Sequence, residues 1–214
     1  ATLVVVSSAI KKNNKELKLA KSKKLPIFQR GEMLANVVIL KKNIVVTGSH
    51  GKTTTTSLIA NILVEAGLDP TVINGGVINS IKNTAQLGKG EWAVIEADES
   101  DGSFLKLPIT YSVVTNVDKE HLDYYKSFEV LKKSFSTFIE KTPSFGKSLV
   151  CIDDKNLKSI LNRCKTNNFL TYGFNKSANY QIVNVRKKIN ISIFNLVIKI
   201  SRHKTYKINN IKVN

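Results

Sequence analysis

Short apolar runs alternate with amphipathic segments along the first part of the chain. Residues 2–7 are mostly β-branched or small and predict a buried strand, and residues 14–21 predict a surface helix. Residues 26–28 predict a short strand and residues 32–39 a short helix. The polar residues 41–43 then predict a linker to a second series of elements.

The second series repeats the order of strand, loop and helix. A strand is predicted at residues 44–46 and a helix at residues 54–66, where Gly67 supplies a stop. Apolar side chains recur in this helix at helical spacing: Leu58, Ile59, Ile62, Leu63 and Ala66. Further strands are predicted at residues 71–73, 92–97, 111–115 and 148–152. A further helix is predicted at residues 128–140, with four inward-facing side chains: Leu131, Phe135, Phe138 and Ile139.

Strands separated by helices favour an α/β fold with a mostly parallel sheet flanked by helices. The helical pattern stops at about residue 180. The segments 182–185, 189–200 and 205–213 read as consecutive strands, which predicts antiparallel pairing at the C-terminal end.

Composition excludes several classes of protein. Apolar residues make up 42% of the 214, which is enough for a core, and the longest apolar runs are too short to cross a bilayer. No leader pattern is visible, so we expect a cytoplasmic protein with Cys151 and Cys164 reduced. The chain begins without Met and stops within a strand-like pattern, so we expect an internal segment of a longer protein.

The formal net charge of +17 raises the possibility of nucleic-acid binding. Arginine, the residue best suited to reading bases and phosphates, occurs at only four positions. The remaining basic residues are lysines dispersed among Asn and Ile, which is typical of solvated faces. We therefore predict neither a nucleic-acid nor a membrane partner.

Residues 45–53, Val-Val-Thr-Gly-Ser-His-Gly-Lys-Thr, carry the strongest chemical signal. A strand that leads into glycines, a Lys-Thr pair and a helix is typical of a loop that binds phosphate through its backbone N–H groups. Val46 stands where the longer phosphate loop has its first glycine, so this loop has the shorter Gly-x-x-Gly-Lys-Thr form. The predicted nucleotide-binding residues are Gly48, Ser49, His50, Gly51, Lys52, Thr53 and Thr54. Because Lys52 supplies charge rather than packing, we expect its replacement to leave the fold intact.

Two further segments place polar groups directly after predicted strands. Residues 92–101 end in carboxylates, and Glu96 is the predicted Mg²⁺ ligand together with the Thr53 hydroxyl. Residues 115–123 contain His121, which should reach the same edge of the sheet. Since Mg²⁺ prefers oxygen ligands, the residues alone leave open whether His121 binds metal or is structural.

These segments together resemble the Mur ligase family, whose loops read approximately T-G-[ST]-x-G-K-T. The resemblance covers most of the chain and rests on these segments: residues 5–10, 30–34, 49–56, 96–104, 153–154 and 171–174. It implies a three-domain enzyme. Residues 1–42 would be the C-terminal part of a Rossmann-like domain that binds a UDP substrate, and residues 43–214 a central ATP-binding domain, truncated at its end.

The resemblance also implies roles for individual residues. Lys52 would contact the phosphates of ATP, Thr53 and Glu96 would bind one Mg²⁺, and His121 would help to hold a second metal. Asn116 would lie near the γ-phosphate, so that the implied catalytic residues are Lys52, His121 and Asn116. A loop formed by Asn74, Gly75 and Gly76 would face the substrate.

The implied activity is ATP-dependent ligation of a carboxylate to an amine through an acyl phosphate, in peptidoglycan precursor synthesis. The implied small-molecule partners are ATP, UDP-N-acetylmuramate and L-alanine; the oligomeric state stays open. We expect the 214-residue chain alone to be inactive, because the family's amino-acid-binding domain lies outside it.

Three alternatives remain at this point. The first is the related ligase that attaches recovered murein tripeptide to the same sugar nucleotide, although its acidic motif is less similar to residues 99–101. The second is a phosphate-loop switch or transport ATPase, for which the chain shows no water-positioning residue or partner surface. The third is a nucleic-acid binder, which would keep salt-dependent binding after replacement of Lys52.

Overall fold

The computed structural model describes residues 1–78, 83–201 and 204–213. Its main feature is a ten-stranded sheet. The strands are β1 Val4–Val6, β2 Ile27–Gln29, β3 Lys42–Thr47, β4 Thr71–Ile78, β5 Asn83–Gln86, β6 Trp92–Glu96, β7 Tyr111–Val114, β8 Ser148–Cys151, β9 Phe169–Gly173, β10 Tyr180–Lys188, β11 Ile191–Ser201 and β12 Lys204–Val213. The helices are α1 Lys15–Ser22, α2 Arg30–Val38, α3 Lys52–Glu65, α4 Leu122–Tyr125, α5 Phe128–Glu140 and α6 Lys155–Leu161, with a 3₁₀ helix at Ser103–Lys106.

The strand order in this sheet is β12-β11-β10-β9-β8-β7-β3-β6-β4-β5. All neighbours from β4 to β10 pair in parallel, whereas β5, β11 and β12 pair antiparallel to their neighbours. The predicted α/β fold class, with antiparallel strands at the C-terminal end, is therefore confirmed. Strands β1 and β2 form a separate two-stranded parallel sheet.

The central strands are apolar on both faces, as expected for parallel strands covered by helices. Their fully buried apolar side chains include Val45 and Val46 on β3 and Ala93, Val94 and Ile95 on β6. Strand β3 lies between β6 and β7, so three loops meet where these strands end.

Helix α5 has the predicted bounds and the predicted inward face. Ser127 caps it, because its hydroxyl accepts a hydrogen bond from the backbone N–H of Val130 at 3.3 Å. The four predicted inward side chains are all buried. Phe135 and Phe138 pack against Phe104 of the 3₁₀ helix, with ring centroids 5.5 and 5.1 Å apart. This packing anchors the segment that follows β6.

Helix α2 joins the N-terminal segment to the main sheet. Val38 is fully buried within the main hydrophobic cluster, and its carbonyl accepts a hydrogen bond from the buried Asn43 side chain at 3.0 Å. An ion pair of 2.8 Å between Glu32 and Lys106 adds a contact at the surface. The start of α2 is thereby held close to the loops after β3 and β6.

Several elements were not predicted from the sequence: β5, β9, the 3₁₀ helix, α4 and α6. Helix α3 was predicted, but its most buried side chains are Thr56 and Ala60, while Leu58 and Ile62 are exposed. The residues Asn74, Gly75 and Gly76 were predicted to form a loop, and this was wrong. They belong to β4, beyond its parallel pairing with β6 and within the irregular stretch between Ile73 and Ile78, the two positions that pair with β5 on either side.

Both cysteines are free, and burial raises the pKa of each thiol. Within the described ranges, no helix has the length and apolar character that crossing a membrane requires.

Candidate active site

The loop between β3 and α3 turns sharply at two glycines. Gly48 has φ +137°, and a Cβ atom there would lie 2.1 Å from the hydroxyl of Thr115. Gly51 has φ +79° and precedes the first turn of α3, whose N-terminus begins at Lys52. Only glycine suits the first position, since both its backbone conformation and the close approach of the next loop exclude a side chain.

Asn116, from the loop after β7, holds this phosphate loop in place. Its side-chain oxygen accepts a hydrogen bond from the backbone N–H of His50 at 2.8 Å, and its side-chain nitrogen donates to the carbonyl of His50 at 2.9 Å. Its own carbonyl accepts from the N–H of Ser49 at 3.1 Å. The Ser49 hydroxyl in turn accepts from the N–H of Asp118 at 2.8 Å. The structure thus gives Asn116 a role in shaping the loop.

Lys52 points to a buried carboxylate that the sequence did not single out. Its ammonium lies 3.1 and 3.0 Å from the two carboxylate oxygens of Glu99 and donates to the carbonyl of Gly48 at 2.6 Å. The Lys52 side chain is 16% exposed and that of Glu99 only 1%. Such burial requires a partner for each charge, and these two residues provide it for one another.

Glu99 is fixed from several sides. The hydroxyl of Tyr125, itself buried, donates a short hydrogen bond to the backbone carbonyl of Glu99, which also accepts from the N–H of Gly102 at 3.2 Å. Burial raises the pKa of the Glu99 carboxyl, and the neighbouring Lys52 ammonium opposes that rise. Burial likewise raises the pKa of the Tyr125 hydroxyl, which keeps it a donor.

Thr53 and Glu96 meet as predicted. The Thr53 hydroxyl donates to Glu96 Oε1 at 3.2 Å, and the backbone N–H of Gly75 donates to Glu96 Oε2 at 2.8 Å. A Cβ atom at Gly75 would lie 2.8 Å from the same carboxylate, so the glycine permits this close approach. A hydroxyl and a carboxylate side by side are oxygen ligands of the kind Mg²⁺ prefers, so these two residues fit that ion.

His121 lies at the end of the same loop as Asn116 and has a left-handed backbone, with φ 55°. Its Nε2 lies 3.8 Å from Glu99 Oε1, and one ligand atom each from Glu99, Glu120 and His121 fall within 4.8 Å of one another. This donor set of two carboxylates and an imidazole fits a metal ion near His121.

A cavity of about 640 Å³ lies beside these groups. Its lining includes Lys52, Asn74, Gly75, Glu96 and His121, together with Arg30 and Gly31 from the start of α2. The structure thus brings five of the predicted residues to the lining of one cavity: Lys52, Glu96, His121, Asn74 and Gly75. It adds Arg30, which the sequence had shown only as part of a matching segment.

Two predicted phosphate-loop side chains point elsewhere. His50 is exposed, with Nε2 3.1 Å from a carboxylate oxygen of Asp118 and 3.8 Å from Glu120. Thr54 is exposed on the first turn of α3. Any contact they make with a nucleotide is therefore expected to come from their backbone rather than from their side chains.

Comparison with known proteins matches the site to a family. The model of the Mur ligase middle domain covers residues 46–213, which include the phosphate loop, Glu96, Asn116 and His121. The chain belongs to the Mur ligase family. The resemblance noted in the sequence is thereby confirmed.

Curated relatives within the Mur ligase family are similar along the whole chain. The UDP-N-acetylmuramate–L-alanine ligase of Pelagibacter ubique is 57% identical over 213 residues, which are 100% of this chain and 46% of that protein. The enzyme of the same name from Parvibaculum lavamentivorans is 48% identical over 198 residues, 92% of this chain and 40% of that protein. The chain thus spans less than half the length of these relatives.

Solved Mur ligase structures share the fold. The UDP-N-acetylmuramate–alanine ligase of Thermotoga maritima has a TM-score of 0.79 and 24% identity, covering 96% of this chain and 46% of that one. The murein peptide ligase of Neisseria meningitidis (named for the substrate L-alanyl-γ-D-glutamyl-meso-diaminopimelate) has a TM-score of 0.81 and 23% identity, covering 92% and 65%. Both types have the same fold, so the fold does not separate them.

Proposed function

We propose that this chain is the nucleotide-binding part of an ATP-dependent ligase that joins L-alanine to UDP-N-acetylmuramate in peptidoglycan precursor synthesis. The observation that carries the proposal is one cavity lined by Lys52, Glu96 and His121, where the Thr53 hydroxyl donates a hydrogen bond to Glu96. We propose this ligase rather than another Mur ligase because the chain is 57% identical, over its whole length, to a UDP-N-acetylmuramate–L-alanine ligase.

In the proposed reaction, a carboxylate oxygen of the sugar nucleotide attacks the γ-phosphorus of ATP. The new O–P bond forms as the bond to the β-phosphate oxygen breaks, giving ADP and an acyl phosphate. The alanine amine then forms the C–N bond, phosphate leaves, and the amine loses a proton. The first step brings negative groups together, so it needs positive charge at the site.

The residues of this chain meet that need in distinct ways. Lys52 supplies a cation at the phosphate loop, and the backbone N–H groups at the start of α3 add partial positive charge at the end of the same loop. Thr53 with Glu96 would hold Mg²⁺, and His121 a second ion, which when bound neutralises phosphate charge. Asn116 holds the phosphate loop, which leads directly into Lys52 and Thr53.

One feature supports an acidic sugar nucleotide as the substrate in the cavity. Arg30 lines the cavity and is an exposed residue, which suits a carboxylate or a diphosphate.

We further propose a domain boundary at residues 42–43, with residues 1–42 belonging to the domain that binds the UDP group. The separate β1–β2 sheet and the start of β3 at Lys42 support this division. Because ATP and nucleotide sugars are cytoplasmic metabolites, we propose the cytoplasm as its location.

The test uses the full-length protein, meaning this chain joined to the flanking regions that its relatives have. It is supplied with ATP, Mg²⁺, UDP-N-acetylmuramate and L-alanine, and phosphate release and the product mass are measured. We expect phosphate release that requires both co-substrates. Turnover with L-alanyl-γ-D-glutamyl-meso-diaminopimelate in place of alanine would instead identify a murein peptide ligase, and no ligation with either would refute the proposal.

A further inference from the structure

Glu99 has no part in the proposed chemistry so far, yet it is the carboxylate that contacts the phosphate-loop lysine. Both of its oxygens lie within 3.1 Å of the Lys52 ammonium. It is 1% exposed, whereas Glu96, the carboxylate paired with Thr53, is half-buried and accepts a hydrogen bond from the backbone N–H of Gly75 in β4. The two acids of this strand end therefore have different partners.

The position of Glu99 is set independently of Lys52. Its backbone carbonyl accepts hydrogen bonds from the Tyr125 hydroxyl and the Gly102 N–H, and the adjoining Phe104 is fully buried against α5. A carboxylate on so fixed a backbone directs the flexible lysine side chain, rather than following it. The Lys52 ammonium, which contacts this carboxylate, is thereby held beside the carbonyl of Gly48 at the turn of the phosphate loop.

We propose that Glu99 is a positioning residue, which holds the Lys52 ammonium at the phosphate loop and competes with the incoming phosphate for it. This inference rests on the proposed function of the site. The competition follows from charge: a phosphate that approaches Lys52 meets a carboxylate 3.0 Å from the same nitrogen. Glu99 thus weakens phosphate binding but keeps the Lys52 ammonium in a defined position.

The proposal predicts opposite effects on binding and turnover. Glu99→Gln keeps the size and the hydrogen-bonding capacity of the side chain but removes the competing charge. We expect full-length Glu99→Gln to bind ADP in EDTA, without metal, about tenfold more tightly. We expect its kcat for ligation to fall by roughly one to two orders of magnitude, because the lysine is no longer held in place.

Two controls distinguish the loss of competition for Lys52 from a general effect of removing a negative charge. Glu129→Gln removes an equally charged side chain from an exposed ion pair on α5, and should leave ADP affinity unchanged. In a Lys52→Met background, Glu99→Gln should no longer tighten ADP binding, because no ammonium remains to compete for. Calorimetric titration with ADP provides the affinities, and thermal denaturation confirms that each variant is folded.

Folded Glu99→Gln with unchanged or weaker ADP binding would overturn the proposal, and so would tightening that persists with Lys52→Met. A merely structural role for Glu99 would lower both affinity and kcat. If Glu99→Gln fails to fold, Glu99→Asp takes its place, and wild-type ADP affinity together with wild-type kcat in that variant overturns the proposal. Ligation by the wild-type protein is measured separately, so a failure of the proposed function is recognised on its own.

Discussion

Lys52 contributes to stability as well as to charge at the phosphate loop. Its removal leaves Glu99 buried without a cation, which revises the expectation from the sequence that the fold would be unaffected. We predict that Lys52→Met lowers the free energy of unfolding by roughly 3 kcal/mol, and that Glu99→Gln in the same chain restores most of it. Urea denaturation of the two variants is the measurement. Equal stability of Lys52→Met and wild type would contradict it.

Glu96 should act on metal rather than on nucleotide directly. Its contacts are the Thr53 hydroxyl and the N–H of Gly75. We predict that Glu96→Gln reduces the enhancement of ADP binding by Mg²⁺ by about tenfold or more, with metal-free ADP binding changed much less. Calorimetry with and without Mg²⁺ tests this, and Glu91→Gln, at an exposed position before β6, is the matched control. An unchanged response to Mg²⁺ would show that Glu96 is not a ligand.

At this scale the sequence predicted more about the phosphate loop than about its surroundings. Gly48, Lys52, Thr53 and Glu96 were singled out because their order along the chain matches the geometry of strand, loop and helix. Glu99 was not assigned a role, since nothing in a run of carboxylates tells which one is buried. Its partner became visible only when β3 and β6 lay side by side.

Helix α5 supports the site through Phe104, which is only five residues beyond Glu99. We predict that Phe135→Ala destabilises the protein by about 3–5 kcal/mol, because a fully buried ring in contact with Phe104 is lost. Val130→Ala on the exposed face of the same helix should change stability by less than about 0.5 kcal/mol. Urea denaturation of both variants measures this difference. A similar loss of unfolding free energy in Phe135→Ala and Val130→Ala would contradict the prediction.

The bounds of helix α5 were predicted closely because its apolar side chains recur at helical spacing. The edge strand β5, Asn83–Gln86, has no apolar alternation and exists through pairing with β4, so its sequence could not indicate it. Helix α3 shows a different failure, since Thr56 and Ala60 are buried while longer apolar side chains are exposed. Close packing of this helix on the sheet favours small residues at the contact. A prediction based on the spacing of large apolar residues does not detect them.

The ten-stranded sheet is uneven across its width. Strands β3, β6 and β7 carry several fully buried side chains, whereas the residues of β11 and β12 are half-buried or exposed. Strand β10 joins β9 through two paired positions. We predict that amides of β10–β12 exchange with deuterium faster than those of β3, β6 and β7. Mass spectrometry of peptides from the native protein measures this. Uniform protection across the sheet would count against it.

The hydrogen bonds from Asn116 to the phosphate loop have a consequence for the kinetics of nucleotide association. They define the shape of the loop before any ligand arrives, so the conformational entropy of ordering it is lost during folding instead of binding. Association should then be a one-step encounter, whose observed rate rises linearly with nucleotide concentration in stopped-flow measurements. In Asn116→Ala the loop must rearrange during each encounter, and the same plot should bend towards a plateau.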